Sequence, residues 1–443
     1  MGTTEILLAA LVLLLLLYYY LTSNYDFWEK KKVRGPRPVP IFGTMSDIFL
    51  GKTGLGLYAT KVYESYPDEP VVGVYSLREP ILLIRDLNLI KTILIKDFSN
   101  FVNRSMEFDQ KHDPLMANLF FLNAQLWKPL RAKLTPVFTS GKLKEMFYLL
   151  NKCGDQLDNQ LNKLNGRVVD LREITGKFTT EVIGMCAFGV DANSFGEDES
   201  AFIKMGKRIF QPNFKAFFKF IFRQFSPLLY RLLGGFLKDD ILDSFFINLA
   251  RDTMEYREKN NIMRHDFIDL MRGLRKEPQQ LGEDVELTDS LVAAQLTVFF
   301  VGGSETSSTT ISNCLFELAM NSNIQTKLRD EIKVELEKAD GVITYEALNS
   351  MKYLDKVFNE TLRKYPPVGI LTRKSEKDYT LPGSNVSIPK DTKVWIPVFG
   401  IHRDEKYYPN PSVFDPERFS DEQVKERDST AFLPFGEGPR NCI

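Results

Sequence analysis

Cysteine and histidine are scarce in this sequence, and neither sign of charge prevails. The four cysteines, Cys153, Cys186, Cys314 and Cys442, stand far apart with no CxxC pair. That spacing argues against a secreted disulfide framework and against a structural zinc site, and fits thiols in a reducing compartment. The three histidines, His112, His265 and His402, have no metal-ligand spacing, so cysteine is the better candidate for any protein-derived metal ligand. Lys and Arg number 57 against 58 Asp and Glu, for a net charge of −1, which leaves no basic footprint for a nucleic acid. Internal repeats and low-complexity tracts are absent. Two motif fragments lack their companions. GKT at Gly51–Thr53 has Ser46 where a phosphate-binding loop needs its first glycine, and HRD at His402–Asp404 has no other kinase element with it.

What the chain does have is length, 443 residues, and 34 phenylalanines, enough for a large core with apolar cavities or surfaces. Ile6–Leu21 is an unbroken apolar run ending in Tyr18, Tyr19 and Tyr20, followed by Lys30, Lys31, Lys32 and Arg34. No small-x-small cleavage site follows the run, so residues 1–22 read as an uncleaved transmembrane anchor. The basic cluster after the run puts the body in the cytosol. Residues 23–45 read as a basic, proline-rich hinge, since the three prolines of GPRPVPIFG cannot sit inside a helix. Residues 46–443 read as one mainly α domain with a minor sheet. Amphipathic stretches fall near 142–165, 170–188, 200–222, 240–275, 287–320 and 323–338, and β-like pieces near 70–84 and 370–397.

Several short patterns stand out. In TVFFVGGSETSSTTI (297–311), Gly302 and Gly303 weaken an apolar helix and Glu305 would be a costly buried charge. A helix accepts such a sequence where something must approach its backbone. Gly302 and Thr306 share a face, so the hydroxyl can bond the glycine carbonyl. VFNETLRKYPPV sets Glu360 and Arg363 three apart, which by itself is usually a surface pair of little value. FDPERF supplies Arg418, a second guanidinium for the same carboxylate. WKPLR sets Trp127 and Arg131 one helical turn apart, able to reach one anion or to serve as ordinary packing. FLPFGEGPRNCI is a glycine-shaped loop that holds the sulfur of Cys442.

Taken in order, WxxxR, (A/G)GxET, ExxR, PERF and FxxGxRxC, the sequence resembles the cytochrome P-450 superfamily of haem-thiolate monooxygenases. Its wording is similar to insect-type microsomal members, notably in ETSSTT, KYPPV, LTRKSEKDYTLPG, FDPERF and PFGEGPRNCI, and the resemblance spans the whole chain. It implies the α-rich triangular P-450 fold with small β-sheets. The cofactor implied is haem, iron protoporphyrin IX, with Cys442 as its thiolate ligand. The resemblance also assigns Trp127, Arg131, Arg373 and Arg440 to the propionates and Phe435 to packing near the thiolate. Gly302 and Gly303 are assigned to making room for oxygen, and Glu305 and Thr306 to proton delivery. Glu360, Arg363 and Arg418 are assigned to a buried structural triad.

By the same resemblance the enzyme would sit in the endoplasmic reticulum membrane with its catalytic body in the cytosol. It would insert one atom of O2 into apolar small molecules, whether xenobiotics such as plant toxins and insecticides or endogenous lipids and hormones. Electrons would come from NADPH through a flavoprotein, cytochrome P-450 reductase. A haem-thiolate isomerase or dehydratase, or a non-catalytic fragment, is the alternative. The family pattern continues past the cysteine with a glycine and a helix, so the chain reads as C-terminally truncated after Cys442. Finally, Gln211–Tyr230 interleaves Phe214, Phe217, Phe218, Phe220, Phe222 and Phe225 with Lys215, Lys219 and Arg223. It reads either as an interfacial helix dipping into lipid or as a core helix with snorkelling lysines.

Overall fold

The β-like stretches near 70–84 and 370–397 are apolar on both strand faces, which suits a sheet covered on both sides. In the computed structural model they form one. The described residues are 2–106, 108–164, 166–196, 199–211, 214–225, 227–264, 266–276 and 287–443. They group into two compact units where the sequence reads as one domain: 1–105 with 356–442, and 106–355.

The first unit is built on a four-stranded sheet. β1 (Val71–Ser76) and β2 (Glu79–Ile84) form an antiparallel hairpin. β2 pairs in parallel with β6 (Lys393–Ile396), and β6 pairs antiparallel with β3 (Leu371–Lys374). A small second sheet pairs β4 (Tyr379–Thr380) with β5 (Ser387–Ile388). Side chains alternate between two cores along each strand. Val72, Val74, Ile81, Leu83 and Trp395 pack with Tyr58, Ala59 and Val62 of the Leu55–Ser65 helix. Val71, Tyr75, Leu82, Ile84, Val394 and Ile396 pack on the other face with Trp28, Ile90 and Phe101.

The Thr3–Thr22 helix has no buried residue and is apolar enough to cross a membrane. Its 20 residues rise about 30 Å at about 1.5 Å each, the thickness of a hydrocarbon core. The stretch after it is non-helical at its prolines, as expected, and it packs against the sheet. Trp28, Val33 and Met45 are buried, and the Arg34 carbonyl accepts the Gly73 N–H at 2.8 Å. The hinge is docked on β1.

The second unit is helical. Its spine is Asp289–Met320, capped by Thr288 and packed on Leu171–Ile183 and Asp240–Lys259. Part of the phenylalanine surplus goes into a dry cluster here. Phe188, Phe202, Phe246 and Phe300 are all buried, with ring centroids 5.0 to 6.4 Å apart. Two expected long helices are each a pair. The stretch near 200–222 is Ala201–Phe210 and Phe214–Phe225, because Gln211 precedes a proline and takes extended backbone. The stretch near 240–275 is Asp240–Lys259 and Phe267–Lys276, interrupted at Asn261, whose φ is +51°. His265 and residues 212, 213 and 226 lie outside the described residues, as do the side chains of Phe220, Arg223 and Phe225.

One charge of the Phe-rich segment differs from both readings. Lys219 forms an ion pair with the buried carboxylate of Asp113, to which the Tyr230 hydroxyl also donates. That lysine is committed to protein. Phe214 and Phe217 do remain exposed.

Candidate functional site

The Lys352–Lys364 helix places Glu360 and Arg363 on one face, three residues apart, and that face is fully buried. A buried ion pair persists only when its remaining donors and acceptors are satisfied, and here they are. Arg363 donates twice to Glu360, Nε to Oε2 at 2.7 Å and Nη2 to Oε1 at 2.8 Å. It also donates to the carbonyls of His402 and Pro411, both at 2.9 Å. Glu360 accepts the Asp415 N–H at 2.9 Å, and Arg418 Nε lies 3.6 Å away, an ion pair too long for a hydrogen bond. The three side chains come together, and Glu360 and Arg363 lie in the core rather than on the surface.

Cys442 ends a turn that needs its glycines. Gly436 and Gly438 have φ of +73° and +74°, a left-handed backbone that L side chains rarely adopt. A Cβ on Gly438 would stand 1.9 Å from the Leu94 carbonyl oxygen. The turn closes through Gly436 N–H to Leu433 C=O at 3.1 Å and Cys442 N–H to Phe435 C=O at 2.8 Å. Cys442 is exposed, and the Phe435 ring, seven residues before it, is half exposed. Arg440 is buried and donates to the Val102 carbonyl at 2.8 Å, while Arg104 donates to the Arg440 carbonyl at 3.2 Å.

Arg373, on β3, is buried at 2% exposure, and burial pushes its guanidinium pKa down to about 10. Its Nη1 bonds only the neighbouring Thr372 carbonyl at 2.9 Å, and its Nε has no hydrogen-bond partner. No carboxylate among the described residues pairs with it. A desolvated cation without an anion is unfavourable, so this position fits a bound anionic group. The propionates implied by the resemblance fit it.

In the second unit, Trp127 is buried and Arg131 half-buried on the Ala124–Leu134 helix, one turn apart. On the long helix Thr306 donates to the Gly302 carbonyl, as expected. Gly302 has nothing within 4 Å of where a Cβ would stand, so packing does not demand glycine there. Gly303 differs from the sequence reading. Its missing Cβ would lie 2.2 Å from Ile183 Cδ1, so a close helix–helix approach accounts for it. Thr179 and Thr175 complete that contact with bonds to the Ser304 carbonyl at 3.0 Å and the Ser308 hydroxyl at 2.9 Å. Glu305 also departs from expectation. It is half exposed, not buried, and pairs with Arg172.

Arg172 and His402 were not read as functional from the sequence. Arg172 carries no local signal, being 133 residues from its partner. His402 had one, since HRD stood out without a role. The structure gives all three residues work. His402 is fully buried, which pushes its pKa down to about 3. Arg403 donates to the Lys364 carbonyl at 2.7 Å, and Asp404 accepts the Tyr63 hydroxyl at 2.6 Å.

The family model described as Cytochrome P450 matches residues 33–443. The chain is 41% identical over 434 residues to Cytochrome P450 6a2 of Drosophila melanogaster, covering 95% of this chain and 85% of that protein. It is 39% identical over 426 residues to Cytochrome P450 6j1 of Blattella germanica, covering 96% and 84%. It is also 39% identical over 437 residues to Cytochrome P450 6B1 of Papilio polyxenes, covering 95% and 85%. The mainly helical fold, the buried Glu360–Arg363 pair, the Cys442 loop and these matches together make the chain a member of the cytochrome P450 family, a monooxygenase of the insect type.

Proposed function

We propose that the protein is a membrane-anchored haem-thiolate monooxygenase of apolar small molecules, with Cys442 as the iron ligand. The observation that carries the reading is the buried, anion-lacking guanidinium of Arg373 in the same unit as the Cys442 loop. Overall, R–H, O2, NADPH and a proton become R–OH, water and NADP+. The haem, when bound, supplies oxygen activation. The chain supplies the rest. In the first unit Cys442 would be the thiolate ligand and Arg373 and Arg440 would balance the propionates; in the second unit Trp127 and Arg131 would offer the propionates further donors. Phe435, whose carbonyl accepts the Cys442 N–H, would pack near the sulfur. Thr306, held by the Gly302 carbonyl, and Glu305 pass protons, and Gly302 leaves the helix backbone approachable.

The test uses Arg373→Met. Removing an unpaired buried cation is expected to leave the apoprotein melting temperature unchanged or higher, while cofactor retention falls by roughly tenfold, one lost charge-assisted bond. A purely structural Arg373 gives the opposite pattern, a lower melting temperature with retention unaffected.

Thr306→Ala separates proton delivery from cofactor binding. We expect normal haem content with less product and more peroxide per NADPH consumed, a shift of about 10-fold or more in coupling. Unchanged coupling would remove Thr306 from the proton path. Dependence of product on NADPH and reductase distinguishes a monooxygenase from an isomerase or dehydratase.

The endoplasmic reticulum location with a cytosolic body rests on the apolar Thr3–Thr22 helix and the basic residues after it. Asn103, Asn359 and Asn385 each open an N-x-S/T sequon. Made with microsomes, the protein should carry no glycan on any of them. A glycosidase-sensitive mobility shift would reverse the orientation. Xenobiotics or endogenous lipids are the substrate class, supported by the phenylalanine-rich composition.

A further inference from the structure

We propose that His402 is a positioning residue for the metal-ligand loop: its neutral imidazole fixes the start of the turn that ends at Cys442. The inference rests on Cys442 being the iron ligand. His402 is wholly buried, and both ring nitrogens are engaged by main-chain groups. Nε2 lies 2.8 Å from the Leu433 nitrogen. A backbone N–H can only donate, so Nε2 is the acceptor and the proton sits on Nδ1. Nδ1 then donates to the Arg363 carbonyl at 3.2 Å. Arg363 answers with its own side chain, Nη1 donating to the His402 carbonyl at 2.9 Å. The ring also stacks on Phe432, at 5.4 Å and 25°.

From Leu433 two backbone bonds and the chain between them lead to the cysteine. The Leu433 carbonyl accepts the Gly436 N–H at 3.1 Å, and the Phe435 carbonyl accepts the Cys442 N–H at 2.8 Å. A turn with two left-handed glycines has little stiffness of its own, so its geometry depends on where it is fastened. Leu433 is buried and its N–H is the fastening point. Only a side chain offering one acceptor and one donor about a ring's width apart serves both carbonyl and amide. Imidazole does so, a glutamine amide can, and a phenyl ring cannot. His402 thus couples the Glu360–Arg363 pair to the ligand loop through hydrogen bonds of 2.8 to 3.2 Å and the backbone between them, within one unit.

The experiment compares His402→Phe, His402→Gln and Asp404→Asn in the full-length holoprotein. Asp404→Asn weakens a bond of the same chain turn to Tyr63 that does not lead to the loop. The readouts are the share of the ferrous carbon monoxide complex in the red-shifted thiolate band, the reduction potential, and the melting temperature. We expect His402→Phe to lower the thiolate share roughly tenfold relative to the other forms of bound haem. His402→Gln should restore most of it, and Asp404→Asn should keep it even where its melting temperature falls. The proposal is overturned if His402→Phe keeps the wild-type share and potential, or if all three variants lose the band in step with stability. Should His402→Phe not accumulate folded, His402→Gln decides alone: retention of the band supports the clamp and loss overturns it. Cys442→Ser isolates the underlying reading. If that variant keeps the thiolate band, the ligand assignment fails whatever His402 does.

Discussion

Arg363→Ala is expected to be the most damaging single substitution in the chain. It removes a guanidinium that is fully buried and leaves the Glu360 carboxylate, equally buried, without its bidentate partner. It also orphans the carbonyls of His402 and Pro411. Breaking a buried pair from one side costs about 3–5 kcal/mol. Against a total stability of about 5–15 kcal/mol that is enough to unfold much of the population. Arg363→Lys should fare little better, because an ammonium cannot reproduce a planar fork serving two carboxylate oxygens and two carbonyls. Arg418→Ala should be milder than Arg363→Ala, since its Nε stands 3.6 Å from Glu360 and the Asp415 N–H remains. Denaturant midpoints and haem content of the three purified variants rank them. Wild-type stability for Arg363→Ala would mean that the pair is dispensable.

Gly438→Ala should rank next, through a different route. The fold should survive while the ligand loop does not. An alanine there must take φ of +74° and place its Cβ 1.9 Å from a backbone oxygen, that of Leu94, which has no rotamer by which to withdraw. Either the turn or the 92–96 segment has to shift, and the turn carries Cys442. The expected result is a near-complete loss of the thiolate band with circular dichroism and melting temperature close to wild type. Gly436→Ala serves as its calibration. It faces the same conformational penalty, about 1 kcal/mol, but its nearest neighbours stand 3.7 Å away or farther, so most of the band should remain. Equal behaviour of the two alanine variants would show that left-handed backbone, and not the contact with Leu94, sets the loop.

Much of this protein is legible in its sequence. Helix and strand follow from where apolar residues recur along the chain, a local property. Hence Ser140–Leu164, Asp289–Met320 and Ser322–Lys338 lie close to where periodicity puts them, and β1, β2, β3 and β6 fall within the two β-like stretches. The motifs Glu360–Arg363, Gly302–Thr306 and the Cys442 loop were visible for the same reason, each being complete within a few residues. Other features depend on which faces meet, and local spacing does not contain that information. Glu305 could be a buried charge until Arg172, distant in sequence, arrived beside it. Gly303 could be space for a ligand until Ile183 filled it. Lys219 could face lipid until Asp113 claimed it. His402, dismissed with HRD, acquired a role only when Arg363 and Leu433 closed on its two nitrogens. Sequence by itself determined the elements and the short-range chemistry of this chain. Tertiary structure alone decided the partners of Glu305 and Lys219 and the reason for Gly303, because desolvation and contact there are set by residues more than a hundred positions away.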